Sequence, residues 1–151
     1  MSPTEVPFWD AIDRIRELEP RYRREAYGFV IAALGVTVQA LPRERLKDPE
    51  RRHLSGSELL AGVVRLAHQE FGSLAEVVFR EWGLASNEDV GAVVFHLVHS
   101  GQLSARPEDT LDDFRGGPDL LHALKAEPGR DPASRPLKPR PRSGAGGEWG
   151  A

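Results

Sequence analysis

Between residues 55 and 101 the chain is punctuated three times in the same way. Ser55 is followed by Glu58 and, after an apolar run, by Gly72; Ser73 by Glu76 and Gly83; Ser86 by Glu88, Asp89 and Gly101. A serine hydroxyl accepts from a free N–H at a helix start, and a glutamate three positions on reaches back to the serine's own N–H. Glycine then stops a helix, because it enters the left-handed conformation without a steric penalty. The pattern predicts three short helices joined by tight turns. Their apolar stripes read Leu59, Leu60, Val63, Val64, Ala67 and Phe71, then Leu74, Val77, Val78 and Trp82, then Val90, Val94, Leu97 and Val98.

Helical spacing also governs the segments on either side. Pro7 suits a helix start, and Phe8, Ala11, Ile12, Ile15 and Leu18 share one face before Pro20. A second helix reads from Tyr22 to Gln39, with Tyr22, Ala26, Phe29, Val30 and Ala33 as its stripe. Its end, Gly35 to Val38, has an extended alternative because β-branched residues favour strands; helix is the reading kept. Residues 42–54 read as a charged linker, with Pro49 against helix. Residues 102–114 read as a short two-stranded hairpin around Pro107 or as an irregular loop. Asp119 to Ala126 reads as a last helix that packs Leu120, Leu121 and Leu124. From Glu127 to Ala151 proline, glycine and arginine dominate, a composition too poor in apolar surface to offset the entropy of ordering. The expected fold is mainly α. It has a single helical domain over 1–126, a winged-helix-like three-helix unit over 55–115, and a disordered tail over 127–151.

Bulk properties exclude several function classes. With 151 residues, one domain with one core is the natural size. The formal net charge is −3, so overall charge predicts neither a nucleic-acid nor a membrane partner. The chain has no cysteine, which removes disulfides, thiolate catalysis and cysteine-ligated zinc or iron–sulfur sites. Met1 to Trp9 lacks the basic start and apolar run of a secretory signal. The longest apolar stretch, Phe29 to Leu34, is too short to span a bilayer. Cytoplasm is the expected location.

A helix that reads a DNA major groove needs Arg, Lys, Asn or Gln on its exposed face and cations nearby for phosphates. No Arg or Lys occurs from Glu81 to Ala105, and Glu108, Asp109, Asp112 and Asp113 follow. The winged-helix-like unit therefore reads as a protein-binding module. Glu88, Asp89, His96, His99, Asp112 and Asp113 are its candidate partner-binding residues. The early part of the chain is basic, and Tyr22 and Tyr27 offer rings for stacking on bases. Association with RNA or a ribosome through Arg21, Arg23, Arg24, Arg43, Arg45, Arg51 and Arg52, with the tail, is the alternative. The acidic residues interleaved there favour a solvated surface instead.

His96 and His99 lie three apart on one helix, but a closed zinc site needs further ligands. His53, His68, Glu81 or Asp112 would have to be brought close by the fold, so no metal and no cofactor is assigned. No Gly-x-Ser-x-Gly elbow or phosphate-binding loop occurs. Ser55, near His53, is explained by capping. The reading is non-enzymatic, and it leaves oligomeric state open.

Several strings carry a resemblance. They are Ala26-Tyr27-Gly28-Phe29-Val30, Arg52 to Leu60, Phe71-Gly72, Glu81 to Leu84, Glu88 to Phe95, Glu108-Asp109 and Asp112-Asp113-Phe114. Together they resemble an uncharacterised family of small bacterial proteins over about residues 20–124. The resemblance implies a bacterial cytosolic protein. It implies no activity, cofactor or catalytic residue.

Overall fold

The computed structural model describes residues 7–51, 53–103, 114–115 and 118–126. The chain is mainly helical there. Helix α1 spans Phe8–Leu18, α2 Arg24–Gln39 and α3 Arg43–Leu46. Helix α4 spans Gly56–Phe71, α5 Ala75–Trp82, α6 Asn87–His99 and α7 Leu120–Lys125. No strand occurs among the described residues. Residues 104–113 of the expected hairpin, and the tail from 127, lie outside them. No helix among the described residues is long and apolar enough to cross a membrane.

Helix α2 is the centre of the packing and touches α1, α4, α5 and α6. Trp9 lies against Gly28, and Asp13 pairs with Arg24, so α1 runs antiparallel to α2. Phe29 stacks on Phe71 while Thr37 abuts Gly62, which sets α4 antiparallel on another side. Gly35 to Val38 is helical. Buried Thr37 packs there against α4, and such tertiary contact overrides the local strand preference. Helix α7 crosses α4 and α5 with Leu120 and Leu124 buried. Asn87 holds its entrance, donating to the Pro118 carbonyl at 3.1 Å and accepting from the Leu120 N–H at 2.8 Å.

The core gathers Ile12, Tyr27, Val30, Val63, Phe79, Leu84, Val90, Val93, Leu97, Leu120 and Leu124. Each such aliphatic or phenylalanine side chain contributes about 1.5–3 kcal/mol by burial. A rim of rings, Phe29, Phe71 and Trp82, closes it with centroid separations of 5.5–5.7 Å.

Two of the expected helix starts form as read. Ser55 accepts from the Glu58 N–H, and Glu58 accepts from the Ser55 N–H. Ser86 accepts from the Asp89 N–H. The third start does not form. Gly72–Leu74 winds into a 3-10 turn, so α5 begins at Ala75 without a side-chain cap. Glu76 instead pairs with Arg80 one turn on, at 2.8 Å. The buried side of α5 is then Ala75 and Phe79, while Leu74 and Val77 stand exposed. Leu18, expected on the inner stripe of α1, is 84% exposed because the helix ends beyond the core. In α6 the buried stripe includes Val93, with Val94 beside it at the edge. The α5 stop is as expected: Gly83 has φ 92°, and a Cβ there would also meet the Arg21 carbonyl at 2.7 Å.

The charged linker is more ordered than expected, and one side chain accounts for much of that. Arg45 on α3 grips Glu58 with both terminal nitrogens, at 2.6 and 2.8 Å. Its Nε donates to the Arg51 carbonyl. The Arg45 guanidinium holds the Glu58 carboxyl at about 2, against an opposing push from burial, with help from the Ser55 N–H. The folded value lies below the ordinary 4.5, so folding favours the ionised form. That contribution is whole above the ordinary carboxylate range and is lost as pH falls through about 2. Urea titrations of Glu58→Gln and the parent from pH 5 to about pH 2 should show a shallower acid loss for the variant. Parallel losses would refute this assignment.

Candidate functional site

The polar groups that sequence distance separates most widely meet between the start of α2 and α6. Tyr22 lies in the turn before α2, held by the Arg16 Nε on its carbonyl at 2.7 Å. The Arg23 N–H reaches the Trp82 carbonyl at 3.1 Å. This turn points the Tyr22 ring inward, where its hydroxyl donates to Asp89 Oδ1 at 2.7 Å. The other oxygen of Asp89 accepts from the Ala85 N–H at 2.8 Å. Arg21 reaches the same carboxylate from outside, at 3.2 Å and largely exposed. About two turns further along α6, the Tyr27 hydroxyl and His96 Nδ1 lie 2.8 Å apart. The rings of Tyr22, Tyr27 and His96 pack within 6.0–6.4 Å of one another.

Burial sets the protonation of this cluster. It raises both tyrosine hydroxyls, Tyr27 to about 12 and Tyr22 further because it bonds to Asp89. Burial also pushes the His96 imidazole below its ordinary range, with Glu19 pulling it back and His99 adding to the depression. At neutral pH the tyrosines stay protonated and His96 stays neutral. The arrangement is a closed polar seam that fixes α6 on the α1–α2 turn.

Of the expected partner-binding residues, Asp89 and His96 are engaged in this seam. Asp89, only 4% exposed, faces inward because its helix-start position brings it under Tyr22. His96 is half-buried on Tyr27. Glu88 and His99 are exposed, and Glu88 pairs with Arg115 at 3.4 Å. Asp112 and Asp113 lie outside the described residues. Among the described residues no three metal-ligating side chains converge.

The basic candidates fare unevenly. Tyr22 and Tyr27 are buried and present no free ring to a base. Arg21 pairs with Asp89, Arg23 with Glu81, and Arg24 with Asp13 while its guanidinium lies over Trp9. Arg45 is a structural clamp. Arg43 and Arg51 are exposed, and Arg52 lies outside the described residues.

The sequence reading missed what stands outside. Leu74 and Val77 are 61% and 62% exposed, three positions apart at the start of α5. Val36 on α2 is 50% exposed. The signal was present in α2, which carries no charged residue from Ala26 through Gln39. Comparison with family models, with curated proteins and with solved structures gives no match to this chain.

Proposed function

We propose that this chain is a non-enzymatic protein-interaction module that presents the start of α5 to a partner helix. The observation that carries the reading is the exposure of Leu74 and Val77. Exposed apolar side chains three positions apart at a helix start suit the anchors of helix recognition. Exposed Glu70 precedes them, so a partner with apolar anchors and a basic flank on that side fits best. A winged-helix-like arrangement of α4, α5 and α6 is part of this reading, supported by the contact of α4 with both others. What favours protein over duplex DNA is the first turn of α6. Asn87 and Asp89 are buried there, and Asn87 grips the entrance of α7. Placement in the bacterial cytosol rests on the sequence resemblance alone.

The test is a cross-linked pull-down of the tagged full chain from its own cells, with and without nuclease. It is run beside Leu74→Asp and Val77→Asp. Exposed substitutions of this kind change stability by only about 0.5 kcal/mol, so the fold should persist. A protein retained through nuclease by the parent should be lost by both variants, and should bind the purified parent. Recovery unchanged by either substitution, or abolished by nuclease, contradicts the reading.

A further inference from the structure

A helix without charge on any side is normally covered on every side, and in α2 the uncharged run extends from Ala26 to Pro42. Along one face the cover is incomplete. Arg24 pairs there with Asp13 and Gly28 lies under Trp9, so α1 covers the first turns. The same face continues at helical spacing through Ala32, Gly35 and Val36, and all three are exposed. The cover stops because α1 does. Helix α1 is antiparallel to α2 and begins at Phe8, so the chain leading into it arrives from the bare side. Pro7 enters with extended backbone, φ −54° and ψ 145°. A residue before proline is steered away from helix, and Val6 precedes Pro7 as Ser2 precedes Pro3.

From this we infer that residues 1–6 are a strap that closes over the bare face of α2 in extended form. The lengths agree. Ala32 lies about 6 Å and Val36 about 12 Å beyond Gly28, at about 1.5 Å per helical residue. An extended chain advances about 3.3 Å per residue. Counted back from Trp9 at Gly28, this brings Val6 level with Ala32 and Thr4 level with Val36. Alternate residues of an extended chain share a side, so Val6 and Thr4 face the helix together and charged Glu5 faces away. Small Ala32 and Gly35, with open space where a Gly35 Cβ would stand, let the strap sit close. A tethered segment also acts at an effective concentration of about millimolar, which favours it over a second copy or a separate protein. Lying down, the strap shields the apolar stripe; lifting, it releases it. The stripe is distinct from Leu74 and Val77, and the inference does not depend on the reading given above.

The chain has no cysteine of its own, so paired cysteines in the full chain test the register. Thr4→Cys with Val36→Cys should close a disulfide within one chain under mild oxidation. It should do so about tenfold or more faster than Glu5→Cys with Val36→Cys, because a bridge needs Cα atoms within about 7 Å and Cβ atoms turned together. Intact mass and a non-reducing gel separate this bridge from one between two chains. Stability supplies a second reading. Val6→Asp and Val36→Asp should each lower the urea midpoint, and the double variant should fall no further than the worse single one. Equal rates for the Thr4 and Glu5 pairs overturn the inference, since a segment that only passes by has no preferred side. So do bridges formed mainly between chains, which would put a second copy on the face, and midpoint losses that simply add or do not occur. Partner capture at Leu74 and Val77 is read by a different experiment, so the two can fail separately.

Discussion

Asp89→Ala should cost the fold about 3 kcal/mol, the range expected when a buried carboxylate leaves its partners stranded. Asp89 satisfies the Tyr22 hydroxyl and the Ala85 N–H, both within 2.8 Å. Removing it leaves both donors without that acceptor in a largely buried contact. The exposed Arg21 adds little, since surface ion pairs are weak. Tyr22→Phe should cost about 1 kcal/mol, the worth of one hydrogen bond. The double variant should cost less than the sum, because a phenylalanine ring in place of the tyrosine no longer needs an acceptor. Chemical denaturation of the four proteins measures this coupling. A cost for Asp89→Ala of about 0.5 kcal/mol or less would show the carboxylate to be an ordinary surface group.

Gly62→Ala should also destabilise, against the usual helical preference for alanine. That preference is worth up to about 1 kcal/mol. A Cβ at Gly62 would lie 2.0 Å from Thr37 Oγ1, 3.1 Å from Thr37 Cβ and 3.3 Å from Thr37 Cγ2. Turning the threonine can clear the 2.0 Å contact, but its Cβ stays 3.1 Å away, so α2 and α4 must still give by a few tenths of an ångström. Overpacking of this kind costs about 1–3 kcal/mol. Gly62→Ala with Thr37→Ala should recover part of the loss. The melting temperatures of the single and double variants settle it; a stabilised single variant means the crossing yields easily.

The helix boundaries were legible wherever a side chain had one local task. Ser55 with Glu58, Ser86 and Gly83 do what their positions imply, because a cap is decided within four residues. Ser73 and Glu76 carry the same letters and do something else. The 3-10 turn at Gly72–Leu74 shifts the start of α5, and Glu76 pairs with Arg80. The polar seam was illegible for a different reason. Glu88 and Asp89 are adjacent and chemically alike, yet one pairs with a surface arginine and the other lies beneath a tyrosine 67 residues away. Only the general need of a buried tyrosine hydroxyl for an acceptor hinted at it. Arg45 reads as one more cation in a basic stretch until Glu58 is seen between its nitrogens.

The central place of α2 bears on how the molecule opens. Amide protons are released by the smallest cooperative opening that exposes them. Helix α7 touches α4 and α5 and is tied at its entrance by Asn87, so it can leave while the rest stays closed. Helix α2 cannot leave without parting from α1, α4, α5 and α6 together. Its opening is the global unfolding of the domain. The helix with a side still bare to solvent is thus the last to give up its backbone hydrogens.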